Sequence, residues 1–189
     1  MNAFLTSIPL VALAEIGDKT QLLSFILAAR YRKPVPIILG ILAATLVNHG
    51  ISAWAGAWLA TLMDSAYLTL AVSILFLAVG FWVLIPDAAP EESSVSTTQI
   101  GPFLASAFAF FVAEIGDKTQ LLTVTLAAEY HSLFAVAAGT TVGMLLVNVP
   151  AVLLGNRILE RVSLPTVHRI AAAIFIVFGI WGLIRYIFG

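Results

Sequence analysis

The 189-residue chain has no cysteine and few charges. Without cysteine there is no disulfide framework, no thiolate metal site and no thiol nucleophile. Charged residues make up 10% of the sequence, against about 25% in an average globular protein. A net charge of −1 excludes a polybasic nucleic-acid binder. Neither an HExxH helix, a Ser/His/Asp arrangement nor a nucleotide-binding loop is present, so no enzymatic activity is expected. What fills the chain is apolar: 61% of the residues are hydrophobic and the mean hydropathy is +1.05. Such a composition cannot cover a domain with polar surface, and it predicts an integral membrane protein. The first apolar stretch lacks a basic leader and an A-x-A cleavage pattern, so it reads as a span rather than a removable signal.

Stretches long enough to cross a bilayer, about 20 residues each, fall at 3–28, 35–60, 66–86, 102–127, 133–158 and 167–188. Helices are expected throughout, because lipid satisfies no backbone polar group and no segment alternates like a barrel strand. Polar breaks separate the spans at Arg30-Tyr31-Arg32-Lys33-Pro34, Asp64-Ser65, Glu129-Tyr130-His131-Ser132 and from Arg157 to Pro165. The acidic, Ser/Thr-rich stretch 88–100 reads as a linker between a unit at 1–87 and a unit at 101–189. Arg30, Arg32, Lys33, Arg157, Arg161 and Arg169 lie in or beside the first and fifth connections, and Arg185 alone lies on the opposite side. The positive-inside rule then puts those connections and the linker in the cytoplasm and both termini outside it. The expected location is the inner (plasma) membrane.

The two units are copies. Ala14-Glu-Ile-Gly-Asp-Lys-Thr-Gln-Leu-Leu23 recurs letter for letter as Ala113 to Leu122, 99 positions later. Tyr31 pairs with Tyr130, Gly40 with Gly139 and Gly80 with Gly179, and Asn48 pairs with Asn148 after a one-residue slip. A duplicated three-span unit enters the membrane from opposite sides in its two copies. The expected fold is therefore all-α, with six transmembrane helices as two inverted three-helix repeats. That plan recurs in secondary transporters, whose sites lie near the midplane where the repeats meet. Gly40/Ala44 and Gly139/Gly143 have the small-x-x-x-small spacing that permits close helix contact there.

Each copy carries three charges in the middle of its first span: Glu15, Asp18 and Lys19, then Glu114, Asp117 and Lys118. A charge at the bilayer centre costs roughly 2.5–3.5 kcal/mol on insertion scales, so these groups must face protein, water or an ion. Helical spacing puts the three on one face in each copy. Glycine between the acids (Gly17, Gly116) weakens the helix and is positioned to free a carbonyl. Four carboxylates offset by Lys19 and Lys118 leave a net −2, which suits one divalent cation. Thr20, Gln21, Thr119 and Gln120 extend the motifs, and Asn48 and Asn148 sit mid-span, all as possible additional ligands. Such hard oxygen donors favour Ca²⁺, Mn²⁺ or Mg²⁺ over copper or zinc. Met144, one turn before Asn148, offers a softer thioether or simply fills space. His49 invites a proton-relay role, although its repeat-mate is Val149. A plain i, i+4 bridge from Glu15 to Lys19 is the structural alternative, and it leaves Asp18 unexplained.

Two copies of Glu-x-Gly-Asp-Lys-Thr, at 15–20 and 114–119, in a duplicated six-span chain resemble a cation transporter family of bacteria, chloroplasts and the Golgi. Its motif is Glu-hydrophobic-Gly-Asp-Lys/Arg-Thr/Ser, and the family is linked to Mn²⁺ and Ca²⁺ transport in exchange for protons. The resemblance covers essentially the whole chain. It implies that Glu15, Asp18, Glu114 and Asp117 bind the cation. Small bacterial members resemble manganese exporters, so it also implies Mn²⁺ efflux by proton exchange, with a Ca²⁺/H⁺ exchanger or a passive cation channel as alternatives. No prosthetic group is implied. The expected partners are the transported cation, protons and the bilayer.

Overall fold

The computed structural model describes residues 2–85, 101–154 and 163–188. The linker 88–100 and the basic residues Arg157 and Arg161 lie outside the described residues. Among those described there are eight helices and no strand: α1 (Ala3–Glu15), α2 (Lys19–Tyr31), α3 (Pro34–Leu62), α4 (Ser65–Val83), α5 (Pro102–Glu114), α6 (Lys118–Tyr130), α7 (Leu133–Leu154) and α8 (Leu164–Phe188). Each of the last four begins 99 residues after its counterpart among the first four, so the sequence repeat is also a repeat of elements.

Four helices, α3, α4, α7 and α8, are long and apolar enough to cross a membrane, and α1 and α5 are shorter apolar helices. With the apolar, charge-poor composition this makes the chain a multi-pass membrane protein.

The stretches 3–28 and 102–127 are not continuous helices, and this corrects the expectation of one shared charged face. Each is broken between its Glu and its Asp. Ile16 has extended backbone, Gly17 follows at φ +83°, and Asp18 begins the next helix from an extended conformation. Ile115, Gly116 (φ +73°) and Asp117 repeat the sequence of conformations. A positive φ costs any residue with a Cβ about 1–2 kcal/mol, and glycine escapes that cost. The glutamines close each break. Gln21 Oε1 accepts from the Gly17 N–H at 2.9 Å, and Gln120 Oε1 accepts from the Gly116 N–H at 2.8 Å.

Packing couples the copies crosswise. Helix α3 lies against α5, and α7 lies against α1. The approach is backbone to backbone: a Cβ on Gly40 would stand 2.5 Å from the Phe103 carbonyl oxygen, and one on Gly139 2.6 Å from that of Phe4. Phe4 and Phe103 are themselves repeat-mates. The small-residue spacing thus marks true close contacts. Helix α4 packs on α8, where the repeat-mates Phe76 and Phe175 stack with centroids 6.5 Å apart. Helix α7 runs without interruption through Pro150.

The polarity pattern is that of a membrane bundle. Outward-facing positions carry Leu46, Val47, Ile51, Trp54, Trp58, Phe108 and Val177, all about half exposed or more. The buried interior holds Ser7, Glu15, Asp18, Gln21, Ser24, Thr45, Asn48, His49, Glu114, Asp117, Lys118 and Asn148. Apolar outside and polar inside is the arrangement lipid demands.

Candidate cation site

The breaks place all four motif carboxylates inside the bundle. Glu15 and Glu114 end α1 and α5, Asp18 and Asp117 precede α2 and α6, and none of the four is more than 2% exposed. Their partners come largely from the opposite copy.

Glu15 Oε1 accepts from the Asn148 amide at 3.0 Å and from the Thr20 hydroxyl. Asn148 Oδ1 in turn accepts from Ser24 Oγ at 2.8 Å. In the mirrored position Glu114 Oε1 accepts from Thr45 at 3.2 Å, and Glu114 Oε2 from Asn48 at 3.4 Å. Asn48 also donates to the Phe111 carbonyl at 3.2 Å. The lysines cross as well. Lys118 Nζ is 2.5 Å from Asp18 Oδ1, and Lys19 Nζ is 3.2 Å from Asp117 Oδ1. The i, i+4 geometry that would join Glu15 to Lys19 is lost with the helix break, which frees each lysine to reach the other copy.

Two carboxylate oxygens, Glu15 Oε2 and Asp117 Oδ2, are buried without a hydrogen-bond partner. Leaving a buried acceptor unpaired is costly, and a ligand-binding position is one reason for such a group to persist. Among the described residues, no three His, Asp or Glu side chains gather closely enough to hold a metal by themselves. Two candidate half-sites result, Glu15 with Asn148 and Glu114 with Asn48.

The suggested additional ligands divide. Asn48 and Asn148 touch the glutamates directly. Thr20 binds Glu15 and, at 3.3 Å, Asp18. Thr119 is buried with its hydroxyl unpaired. Gln21 and Gln120 have their carbonyl oxygens committed to the backbone at the breaks. His49 Nε2 stands 3.7 Å from Glu114 Oε2. Sequence reasoning missed Thr45, Ser24 and His168. Thr45 lies one turn before Asn48, and Ser24 one turn after Gln21, so the helical period from the motif was the available signal. His168 Nε2 lies 2.8 Å from the Ile16 carbonyl oxygen, across 152 residues, and no local pattern announces it.

The chain matches the family described as "Divalent cation/proton antiporter GDT1" over residues 3–91 and 102–187. It is 49% identical over 177 residues to a Vibrio cholerae protein named "Putative manganese exporter", covering 93% of this chain and 88% of that one. A GDT1-like protein of Synechocystis is 29% identical over 203 residues, covering 95% of this chain and 96% of the relative. GDT1-like protein 5 of Arabidopsis thaliana is 29% identical over 221 residues, at 97% and 96% coverage. No solved structure matches.

Proposed function

Because the chain belongs to the GDT1 divalent cation/proton antiporter family, we propose that it exports Mn²⁺ from the cytoplasm in exchange for protons, through the buried carboxylates of its two half-sites. The manganese exporter name of the Vibrio cholerae relative supports this choice of ion. The observation that carries the reading is the set of four carboxylates, two buried at the helix break of each copy, with unpaired oxygens on Glu15 and Asp117. Glu15, Asp18, Glu114 and Asp117 bind the ion, Asn48, Asn148, Thr20 and Thr119 assist, and Lys19 and Lys118 balance charge. In this reading the units 1–87 and 101–189 are inverted on one another, each broken pair of helices counts as one crossing, and both termini lie outside the cytoplasm. The crosswise contacts of α3 with α5 and of α7 with α1 support the inverted arrangement.

A cation binds carboxylates in their deprotonated form, so protons compete with it for the same oxygens. Cation entry then expels protons, and protons arriving from the other side displace the cation. The same groups serve both ions, so no separate proton path is required. Mn²⁺ flux through proteoliposomes tests this as the pH gradient is imposed, collapsed and reversed. Export that follows all three changes, and that disappears in Asp18→Asn and Asp117→Asn, is the expected result. Flux indifferent to the gradient would instead indicate a channel.

A further inference from the structure

The two half-sites surround their asparagines differently. Asn148 Nδ2 is surrounded by three acceptors: Glu15 Oε1 at 3.0 Å, the Met144 carbonyl at 3.2 Å and Met144 Sδ at 3.4 Å. An amide nitrogen has two hydrogens, so acceptors outnumber donors at this point. A carboxylate, a carbonyl and a thioether converging on one donor form a surround that suits a cation. The Met144 side chain is fully buried, and the second oxygen of Glu15, Oε2, is unpaired. In the other half-site Asn48 Nδ2 donates to the Phe111 carbonyl and to Glu114 Oε2, and the residue one turn earlier is Ala44. A glutamate oxygen and a backbone carbonyl thus meet the asparagine in both half-sites, and a thioether joins them where the other copy has Ala44.

We infer that Met144 is a specificity-determining ligand of the Glu15 half-site, favouring a transition-metal dication such as Mn²⁺ over Ca²⁺ and Mg²⁺. This rests on the reading of the carboxylates as the transport site. When the cation arrives, the Asn148 amide turns over so that Oδ1 joins the Glu15 carboxylate and Met144 Sδ. Ser24 permits the turn, because its hydroxyl accepts from Nδ2 as readily as it donates to Oδ1. Ca²⁺ and Mg²⁺ bind through oxygen and gain little from sulfur. Transition-metal dications tolerate a thioether, and softer ions prefer it. One sulfur among oxygens thus penalises the abundant hard cations without building a site that traps a soft one.

Cadmium, a soft dication, is the probe. The chain has no cysteine, so any sulfur bound to a metal must be a methionine thioether. X-ray absorption of the Cd²⁺-loaded full-length protein should show a sulfur neighbour that disappears in Met144→Leu, a swap that conserves volume. In proteoliposomes, Met144→Leu and Met144→Gln should lower the preference for Mn²⁺ over Ca²⁺ by roughly tenfold, the low end for a group supporting a metal site. Cd²⁺ should weaken as an inhibitor by a similar factor. An all-oxygen shell around Cd²⁺ in the wild type would overturn the inference even if both variants failed to fold. Folded variants with unaltered ion preference would overturn it too. Neither result touches the carboxylate reading, which fails only if the wild type moves no Mn²⁺ or Asp18→Asn transports normally.

Discussion

Lys118 Nζ lies 2.5 Å from Asp18 Oδ1, with 1% and 0% of the two side chains exposed. Its repeat counterpart, Lys19 with Asp117, is longer at 3.2 Å, and the Lys19 side chain is 29% exposed. Identical motif residues thus occupy unequal surroundings. Removing one partner of a fully buried ion pair costs about 3–5 kcal/mol, and the cost falls where one partner keeps contact with water, as Lys19 does. Lys118→Ala should lower the melting temperature in detergent well below that of Lys19→Ala. Equal losses would mean that the two pairs are energetically alike. Arginine should be tolerated better than alanine at Lys19, since the charge matters more there than the ammonium shape.

Removing both charges of the buried pair separates stability from transport. Asp18→Asn combined with Lys118→Gln leaves no uncompensated charge, so the double variant should melt higher than Lys118→Ala alone. On the proposed function, Mn²⁺ flux should be absent from the double variant, because the proposed site has lost a carboxylate. Flux near the wild-type level in a well-folded double variant would remove Asp18 from the transport site.

Gly17 and Gly116 share a left-handed conformation, but only one has close neighbours. A Cβ at Gly17 would stand 2.9 Å from Leu164 Cδ2 and 3.0 Å from His168 Nε2, while a Cβ at Gly116 meets nothing within 4 Å. Gly116→Ala should cost about 1–2 kcal/mol from backbone strain alone. Gly17→Ala adds a collision with α8 and should cost more. Chemical or thermal unfolding of the two variants side by side checks the order.

His168 ties α8 to the first break. The Ile16 oxygen can only accept, so Nε2 carries the proton in this contact. His168→Ala should cost about 1 kcal/mol and speed amide hydrogen exchange at residues 15–19. The position 99 residues earlier is Thr69, whose hydroxyl bonds to Ser65 within its own helix. Thr69→Ala should leave exchange at residues 114–118 as it is. Faster exchange there would show that the second break is tied down in the same way.

Much was legible in the sequence because it depends on composition and identity. A charge-poor, apolar chain cannot be dissolved in water, and ten repeated letters of mixed polarity cannot arise by chance alignment. The helix ends near Tyr31, Leu62 and Tyr130 follow from local polar breaks. The kink at Glu15-Ile16-Gly17-Asp18 was not readable in full. A glycine inside an apolar run weakens a helix without dictating a turn, and the positive φ is held by Gln21 and by contacts with α8 that local pattern does not describe.

The residues themselves determined that Glu15, Asp18, Glu114 and Asp117 would be buried charges in duplicate, since spans of this hydropathy leave them no other place. Only the tertiary structure decided who faces whom. Once each span breaks, its two charged ends no longer share a helical face. Lys118 therefore reaches Asp18, Lys19 reaches Asp117, and Asn48 and Asn148 bond to the glutamate of the opposite copy. Those pairings lie 66 to 133 residues apart. They depend on close approach of α3 to α5 and α7 to α1, which no periodicity within a single helix encodes.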